Sequence, residues 1–337
     1  MELILETDIN YNEYINLIDE IYKDDEKFEL NCKDIIINIF KNEGTFCENA
    51  KIISVGVYDK TKLIASSILV IPNYYSKAVL VCFFEALPNY QLAVNLIIRY
   101  ARNLGLKNNC QRIIIGLNTH INAGAGILVE GFSTNSYGNN YNPPYYGDYF
   151  KNFKATIHAS TSYNGNIEDF SPKTIDKVIK KVCKQFTFRE ISKPNFKEDM
   201  ALYTQFANKA FADHKFYYER KEEEDYELYE PMLSTLKSEN ILFAEKAGEI
   251  VGCLMWFPNY YKKSTRIYKI MEIGVLPGYR KSGVILGLFN ECSKRTNGNF
   301  DYIESGWIFD DNFLSKAITN RWIKDVHKRY NVYELNI

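Results

Sequence analysis

Hydrophobic and polar positions alternate along Lys51–Tyr58 and Leu63–Ile71, with Asp59-Lys-Thr-Lys62 between them. That pattern predicts two paired strands and their turn. Ala78–Ala86 reads as a third strand. From 92 to 104 the apolar side chains Ala93, Leu96, Ile97, Tyr100 and Leu104 recur at helical spacing, with Gly105 as the expected C-cap. Arg112–Gly116 predicts a buried strand. Asn142-Pro143 reads as an N-cap and first helical residue, opening a helix to about Asn152. Ala155–Tyr163 returns as a strand.

The second half repeats this plan. Phe186–Ile191 predicts a strand and Glu198–Ala212 a helix; the charged run Glu219–Glu227 reads as a solvated helix start. Ile241–Glu245 and Ile250–Phe257 form a hairpin across Lys246-Ala-Gly-Glu249. Ile267–Leu276 is the next strand, followed by a short loop and a helix over 283–295. Tyr302–Ile308 is a strand, Asp311 and Asn312 cap a helix to about Lys324, and Arg329–Leu335 closes as a strand.

The repeat extends to individual residues. Leu87-Pro-Asn-Tyr-Gln91 matches Leu276-Pro-Gly-Tyr-Arg280, each between an apolar strand and an amphipathic helix. This predicts two copies of one α/β unit: residues 1–165, a linker over 166–185, and residues 186–337. The copies differ where Arg280 and Gly283 stand against Gln91 and Val94.

Composition narrows the function classes. The chain has 337 residues, 46% hydrophobic, and a formal net charge of −1. Such a balance gives no electrostatic drive toward nucleic acid or an anionic membrane. The seven cysteines are scattered with no Cys-x-x-Cys pair, which argues against a zinc site or a disulfide framework and fits a reducing cytoplasm. The acidic N-terminus lacks signal-peptide order, and no apolar run approaches the ~20 residues of a spanning helix. No nucleotide-binding Gly-x-x-x-x-Gly-Lys-Ser/Thr occurs, and Gly124-Ala-Gly126 lacks the third glycine of a dinucleotide loop. The four histidines show no metal spacing.

The strongest chemical signal is Arg280-Lys281-Ser282-Gly283, between an apolar strand and a helix. A helix entrance carries unpaired N–H groups and a positive dipole end, a seat for phosphate or pyrophosphate. Val94 would add a Cβ that crowds such a ligand, so the second copy is expected to hold it. Glu272 is a carboxylate inside an apolar strand, placed to act as a general base. Asn118, Asn122, Glu130, Asn142, Tyr145 and Tyr146 cluster in the long connection 117–141 and the helix after it, and are expected to wall an acceptor substrate; connections of that length are uncommon unless functional or disordered.

The second half, about 186–337, resembles the GCN5-related N-acetyltransferase superfamily. Glu272-Ile-Gly-Val-Leu-Pro-Gly-Tyr-Arg-Lys-Ser-Gly-Val-Ile285 and Glu304-Ser-Gly-Trp-Ile-Phe-Asp-Asp-Asn312 carry the likeness. Through Ile127-Leu-Val-Glu-Gly-Phe132, Tyr141-Asn-Pro-Pro-Tyr-Tyr146 and Arg329-Tyr-Asn-Val-Tyr-Glu334, the whole chain is similar to a bacterial family of tandem acetyltransferase-like proteins. The resemblance implies an α/β (α+β) architecture of two tandem domains, each a mixed, mostly antiparallel sheet flanked by helices on both faces. The first domain would be degenerate. The second would bind acetyl-CoA or another acyl-CoA and transfer the acyl group directly to a small-molecule or peptide amine.

In such a site the pyrophosphate lies on Arg280, Lys281, Ser282, Gly283, Val284 and Ile285. The preceding strand, splayed or bulged near Ile273, Gly274 and Val275, pairs with the pantetheine arm and polarises the thioester. Asn312 sits near the same arm. Superfamily members often protonate the leaving thiolate with a Tyr seven residues after that Asn; this chain has Thr319 there. Alternatives of the same fold are a non-catalytic CoA-binding or regulatory protein and an aminoacyl- or fatty-acyl transferase.

Overall fold

The computed structural model describes residues 3–75, 77–170, 176–261 and 266–337. The chain forms two compact units. The first comprises the described residues up to Thr161 together with 309–311 and 328–337; the second comprises Ser162–Ile308 and Asn312–His327. Residues 171–175 of the expected linker lie outside the described residues.

In the first half, β1 (Leu3–Thr7) precedes α1 (Tyr11–Tyr22), α2 (Lys33–Lys41) and the single turn α3 (Thr45–Glu48). Asn10 opens α1 with a capping box: its side chain accepts from Glu13 N, and the Glu13 carboxylate accepts from Asn10 N. Next come β2 (Ala50–Asp59), β3 (Lys62–Pro72), β4 (Ala78–Ala86), α4 (Gln91–Lys107), β5 (Arg112–Ile115), β6 (Ile127–Glu130), α5 (Tyr146–Phe150) and β7 (Thr156–Asn166).

The second half runs α6 (Asp176–Cys183), β8 (Thr187–Glu190), α7 (Phe196–Ala210), α8 (Glu222–Tyr229), β9 (Ile241–Lys246), β10 (Glu249–Pro258), β11 (Ile267–Val275), α9 (Val284–Thr296), β12 (Tyr302–Ser305), β13 (Ile308–Phe309) and α10 (Phe313–Thr319). β14 (Asp325–Asn336) follows.

The two sheets share one plan. Unit one orders its strands β1-β2-β3-β4-β5-β14, and unit two β8-β9-β10-β11-β12-β7. In each, one pair is parallel: β4 with β5, and β11 with β12. A parallel pair needs a crossover, and α4 and α9 supply it. The other neighbours resolved in register run antiparallel. Each sheet takes its last strand from the other half of the sequence: unit-one residues of β14 pair with β5, and unit-two residues of β7 pair with β12.

Each core follows from the apolar pattern of these strands. β4 is buried at every position, and α4 covers the sheet with Ala93, Val94, Ile97, Ile98, Ala101 and Leu104. Among the described residues no helix is long and apolar enough to cross a membrane, no group of side chains could hold a metal ion, and none of the seven cysteines is in a disulfide.

Several elements differ from the sequence expectations. β1, α1 and α2, in residues 3–41, were not assigned from the pattern. Gly105 does not cap α4, which runs on to Lys107; a Cβ there would run into Ile337 Cδ1. Asn142 caps no helix. Its Oδ1 accepts from Leu128 N and its Nδ2 donates to Leu128 O, so it latches β6, while α5 starts at Tyr146. The charged run is not wholly solvated either: Asp225 of α8 is buried, 3.0 Å from the equally buried Arg220. α10 ends at Thr319, where Trp322 and Ile323 turn inward and are buried.

Candidate functional site

The second unit leaves a helix entrance open where the first does not. β11 pairs with β12 only from Ile267 to Ile270. Its register to β10 then slips by one residue, bulging Met271 outward between Ile270 and Glu272. Beyond the bulge, Glu272, Ile273, Gly274 and Val275 keep β10 on one edge and have no β12 partner on the other. The departure lies two residues before the expected Ile273. Gly274 sits tightly under α7, where a Cβ would approach Phe211 Cζ at 2.6 Å.

After β11, Leu276 N bonds Val251 O, a 3₁₀ turn covers Pro277–Tyr279, and the chain unwinds through Arg280–Gly283. Gly283 has φ +86° at the entrance to α9, a left-handed conformation that favours glycine. A Cβ there would also approach Val182 Cγ2 of α6 at 2.8 Å. The N–H groups of Ser282, Leu286 and Gly287 bond within the turn, whereas those of Lys281, Gly283, Val284 and Ile285 have no acceptor among the described residues. Four N–H groups without acceptors at the positive end of a 13-residue helix suit a phosphate or diphosphate. Lys281 is exposed beside them. Arg280 is already engaged, its Nη2 donating to Ala210 O at 3.0 Å, the C-terminal carbonyl of α7. Ser282 Oγ donates to Tyr279 O.

In unit one the corresponding residues are closed. Gln91–Val94, the counterparts of Arg280–Gly283, form the first turn of α4, and Val94 is fully buried. Tyr149 of α5 accepts from Tyr90 N at 3.2 Å and donates to Leu87 O. Tyr145 donates to Ala86 O at 2.9 Å, and Ala86 N donates to Tyr146 Oη at 2.8 Å. Three tyrosines of one short helix thus satisfy the backbone groups around the end of β4 that the second unit leaves open.

Glu272 is half-buried on β11. Tyr203 of α7, itself fully buried, has its hydroxyl 3.0 Å from both carboxylate oxygens. Burial first, and the Glu272 charge second, push the Tyr203 phenol well above its ordinary range, so it stays protonated and donates. Tyr203 was not singled out in the sequence, because a lone tyrosine at a helical core position reads as packing. Asn312 caps α10, its Oδ1 accepting from Ser315 N at 3.2 Å.

The acceptor-wall residues, all in unit one, separate into two groups. Asn118, Asn142 and Tyr146 line a cavity there. Asn118 Oδ1 accepts from Phe83 N and its Nδ2 donates to Asn140 Oδ1. Asn122 lies in a short 3₁₀ turn, its N–H donating to His120 Nδ1. Glu130 is exposed and pairs with Arg329 at 3.2 Å, and Tyr145 is held on Ala86 as described; none of these three lines the cavity. The cavity also contains Glu85, which sequence reading passed over inside the apolar β4. Burial raises its carboxyl to about 8, against hydrogen bonds from Tyr146 and Tyr22 that lower it.

Fold and site together define a tandem α/β protein whose second copy leaves backbone N–H groups without acceptors at a helix entrance. Residues 205–312, from mid-α7 to the cap of α10, match the acetyltransferase (GNAT) family model. Residues 205–312 are thus a domain of the GCN5-related N-acetyltransferase family, and the chain as a whole carries two domains of that fold. It is similar in fold to the GCN5-related glucosamine N-acetyltransferase region of a fungal multi-domain GH3 β-N-acetylglucosaminidase, with a TM-score of 0.64 at 12% identity over 99% of this chain and 38% of that one. The chain therefore spans well under half the length of that protein. It is also similar to a tandem GNAT protein from the clavulanic acid biosynthesis pathway, with a TM-score of 0.60, 10% identity and coverage of 99% and 98%. A GCN5-related N-acetyltransferase from Sphaerobacter thermophilus gives 0.55, 12%, 99% and 95%. At these identities the structural likeness establishes the fold alone. No curated protein sequence matches the chain.

Proposed function

We propose that the second unit is an acyl-CoA-dependent N-acyltransferase, moving an acetyl group from acetyl-CoA to an amine. The observation that carries this reading is the unwound 280–283 segment, with its four N–H groups lacking acceptors, at the position where unit one is helical and filled by Tyr149. The residues fit the cofactor: Gly283 takes the left-handed φ of +86° that turns the chain into α9 with its N–H groups unbonded, and a side chain there would press on Val182. Lys281, Gly283, Val284 and Ile285 would hold the diphosphate, with Lys281 adding charge. The edge of β11 beyond Ile270, where β12 no longer pairs, would receive the pantetheine amides.

Acyl-CoA supplies an activated thioester. Glu272, half-buried and anchored by Tyr203, would take the proton from the attacking amine, directly or through water. N–H groups on the free edge near Val275 would stabilise negative charge developing on the thioester oxygen. Thr319 ends α10 where the superfamily often carries its acid Tyr, so the leaving thiolate would draw its proton from another donor.

The test is calorimetry with acetyl-CoA, followed by thiol release over a panel of amines. Micromolar binding and amine-dependent release of CoA support the reading. Absence of binding to acetyl-CoA and to longer acyl-CoAs overturns it. Binding without turnover would establish the regulatory alternative.

A further inference from the structure

We propose that the cavity of unit one is a binding site for a protonated amine, with the Glu85 carboxylate as its anchor and aromatic rings as its walls. The cavity leaves about 60 Å³ for the centres of water-sized molecules, room for a few waters or the head of one small primary amine. Glu85 reaches it from β4, just past a bulge where Phe83 adopts φ +47°. Tyr146 and Tyr22 donate to Glu85 Oε2 at 2.7 and 3.2 Å. Oε1 receives no hydrogen bond among the described residues. One oxygen of a deeply set carboxylate is therefore held and the other is left for a ligand.

The surrounding chemistry selects the ligand's charge. Tyr14, Phe28, Phe83, Phe84, Tyr141 and Tyr146 line the cavity, and no Lys, Arg or His does. Phe28 is stacked on Tyr22 with ring centroids 3.6 Å apart, which fixes one wall. Glu29 adds a second carboxylate at the lining. An anion would meet two carboxylates and no cation. A neutral ligand would leave the aromatic faces without the charge they attract. An ammonium gains an ion pair with Oε1 and cation–π attraction, worth ~0.5–2 kcal/mol per ring according to desolvation.

Binding should depend on pH. The titratable groups around Glu85 and its cavity are Tyr14 and Tyr22 on α1, Glu29, Tyr141, Tyr145 at the cap of α5 and Tyr146 on it. Burial raises all five phenols above their ordinary range, so they stay protonated near neutrality. Glu85, raised to about 8, ionises within the working range. A cation binds the ionised form, so its affinity should rise roughly 25-fold between about pH 6.5 and about pH 8.5.

The site is independent of acyl-CoA, so its test uses no acyl donor and cannot be confused with failure of the proposed transferase. n-Butylamine, which stays protonated like a lysine side chain, and neutral n-butanol are titrated calorimetrically into the full chain across that window. The expected result is binding of the amine only, strengthening with pH. Glu85→Gln should lower amine affinity at least tenfold at the upper pH and flatten the pH profile, with a melting curve showing that the variant is folded. Phe28→Ala should weaken the amine severalfold and keep the pH profile. Equal binding of butanol, a flat profile in the wild type, retained affinity in Glu85→Gln, or no amine binding at any pH would each overturn the proposal.

Discussion

Replacing Gly283 by Ala tests the loop that carries the functional reading. At φ +86° any L side chain costs about 1–2 kcal/mol of backbone strain. The new Cβ would also stand 2.8 Å from Val182 Cγ2, so α6 or the loop must give way. For a unit of this size the strain alone lowers melting by about 2–8 °C. Loss of stability would not by itself implicate the cofactor, and Gly298 supplies the control. It has φ +79°, and a Cβ there meets nothing within 4 Å. Gly298→Ala should therefore show the backbone strain and leave acetyl-CoA affinity unchanged. Gly283→Ala should lose at least as much stability and weaken acetyl-CoA at least tenfold, about 1.4 kcal/mol, by displacing N–H groups from the seat. Thermal melts and calorimetry on the same preparations separate the two effects. Wild-type affinity in Gly283→Ala, or an equal loss in Gly298→Ala, would refute the assignment of the cradle.

Glu272→Gln should cut amine acetylation by ~10²–10⁴ while acetyl-CoA still binds, measured by thiol release and calorimetry. Tyr149→Phe leaves Tyr90 N and Leu87 O without their shared partner, so it should destabilise the chain by about 1–3 kcal/mol in urea unfolding; acetyl-CoA affinity should not change, because the plugged helix start is in the other unit. Glu85 is raised from 4.5 to about 8, so the fold favours its neutral form. That contribution is fully present below about pH 4.5 and fades as pH rises toward 8, by at most about 1.4 kcal/mol per pH unit. Melting followed from about pH 5 to about pH 8 should therefore fall more steeply in the wild type than in Glu85→Gln.

The sequence made most of the sheet legible, because β2, β3, β4, β9, β10 and β11 carry either alternation or long apolar runs. α1 and α2 were missed although α1 has a full capping box at Asn10 and Glu13; the polar residues crowded around them obscured their apolar stripes. The loop at 280–283 was visible because Arg, Gly and the flanking strand and helix are local features. Glu85 and Tyr203 were not, since their roles arise from burial and from partners 60 or more residues away. Asn142 misled for a related reason: Asn-Pro is a local capping signal, and the side chain instead satisfies both backbone groups of Leu128.

The two copies show how little backbone change separates a helix entrance with open N–H groups from a closed one. Both have the Leu-Pro-x-Tyr turn, a bulged strand before it and a crossover helix after it. In the first copy the helix starts at Gln91, one turn before the position matching Val284, so the N–H groups that would face a phosphate are drawn into α4. Val94 suits that geometry, being fully buried in the helix, whereas Gly283 suits the left-handed entrance. The tyrosines of α5 then complete the closure by bonding the backbone that remains. Val94→Gly alone should therefore confer no acetyl-CoA binding on unit one, since Tyr149 would still hold Tyr90 and Leu87. Calorimetry on Val94→Gly combined with Gly283→Val, which removes the seat in unit two, tests this directly. Binding restored in that double variant would mean that one side chain, not the helix start and its tyrosines, keeps the first copy closed.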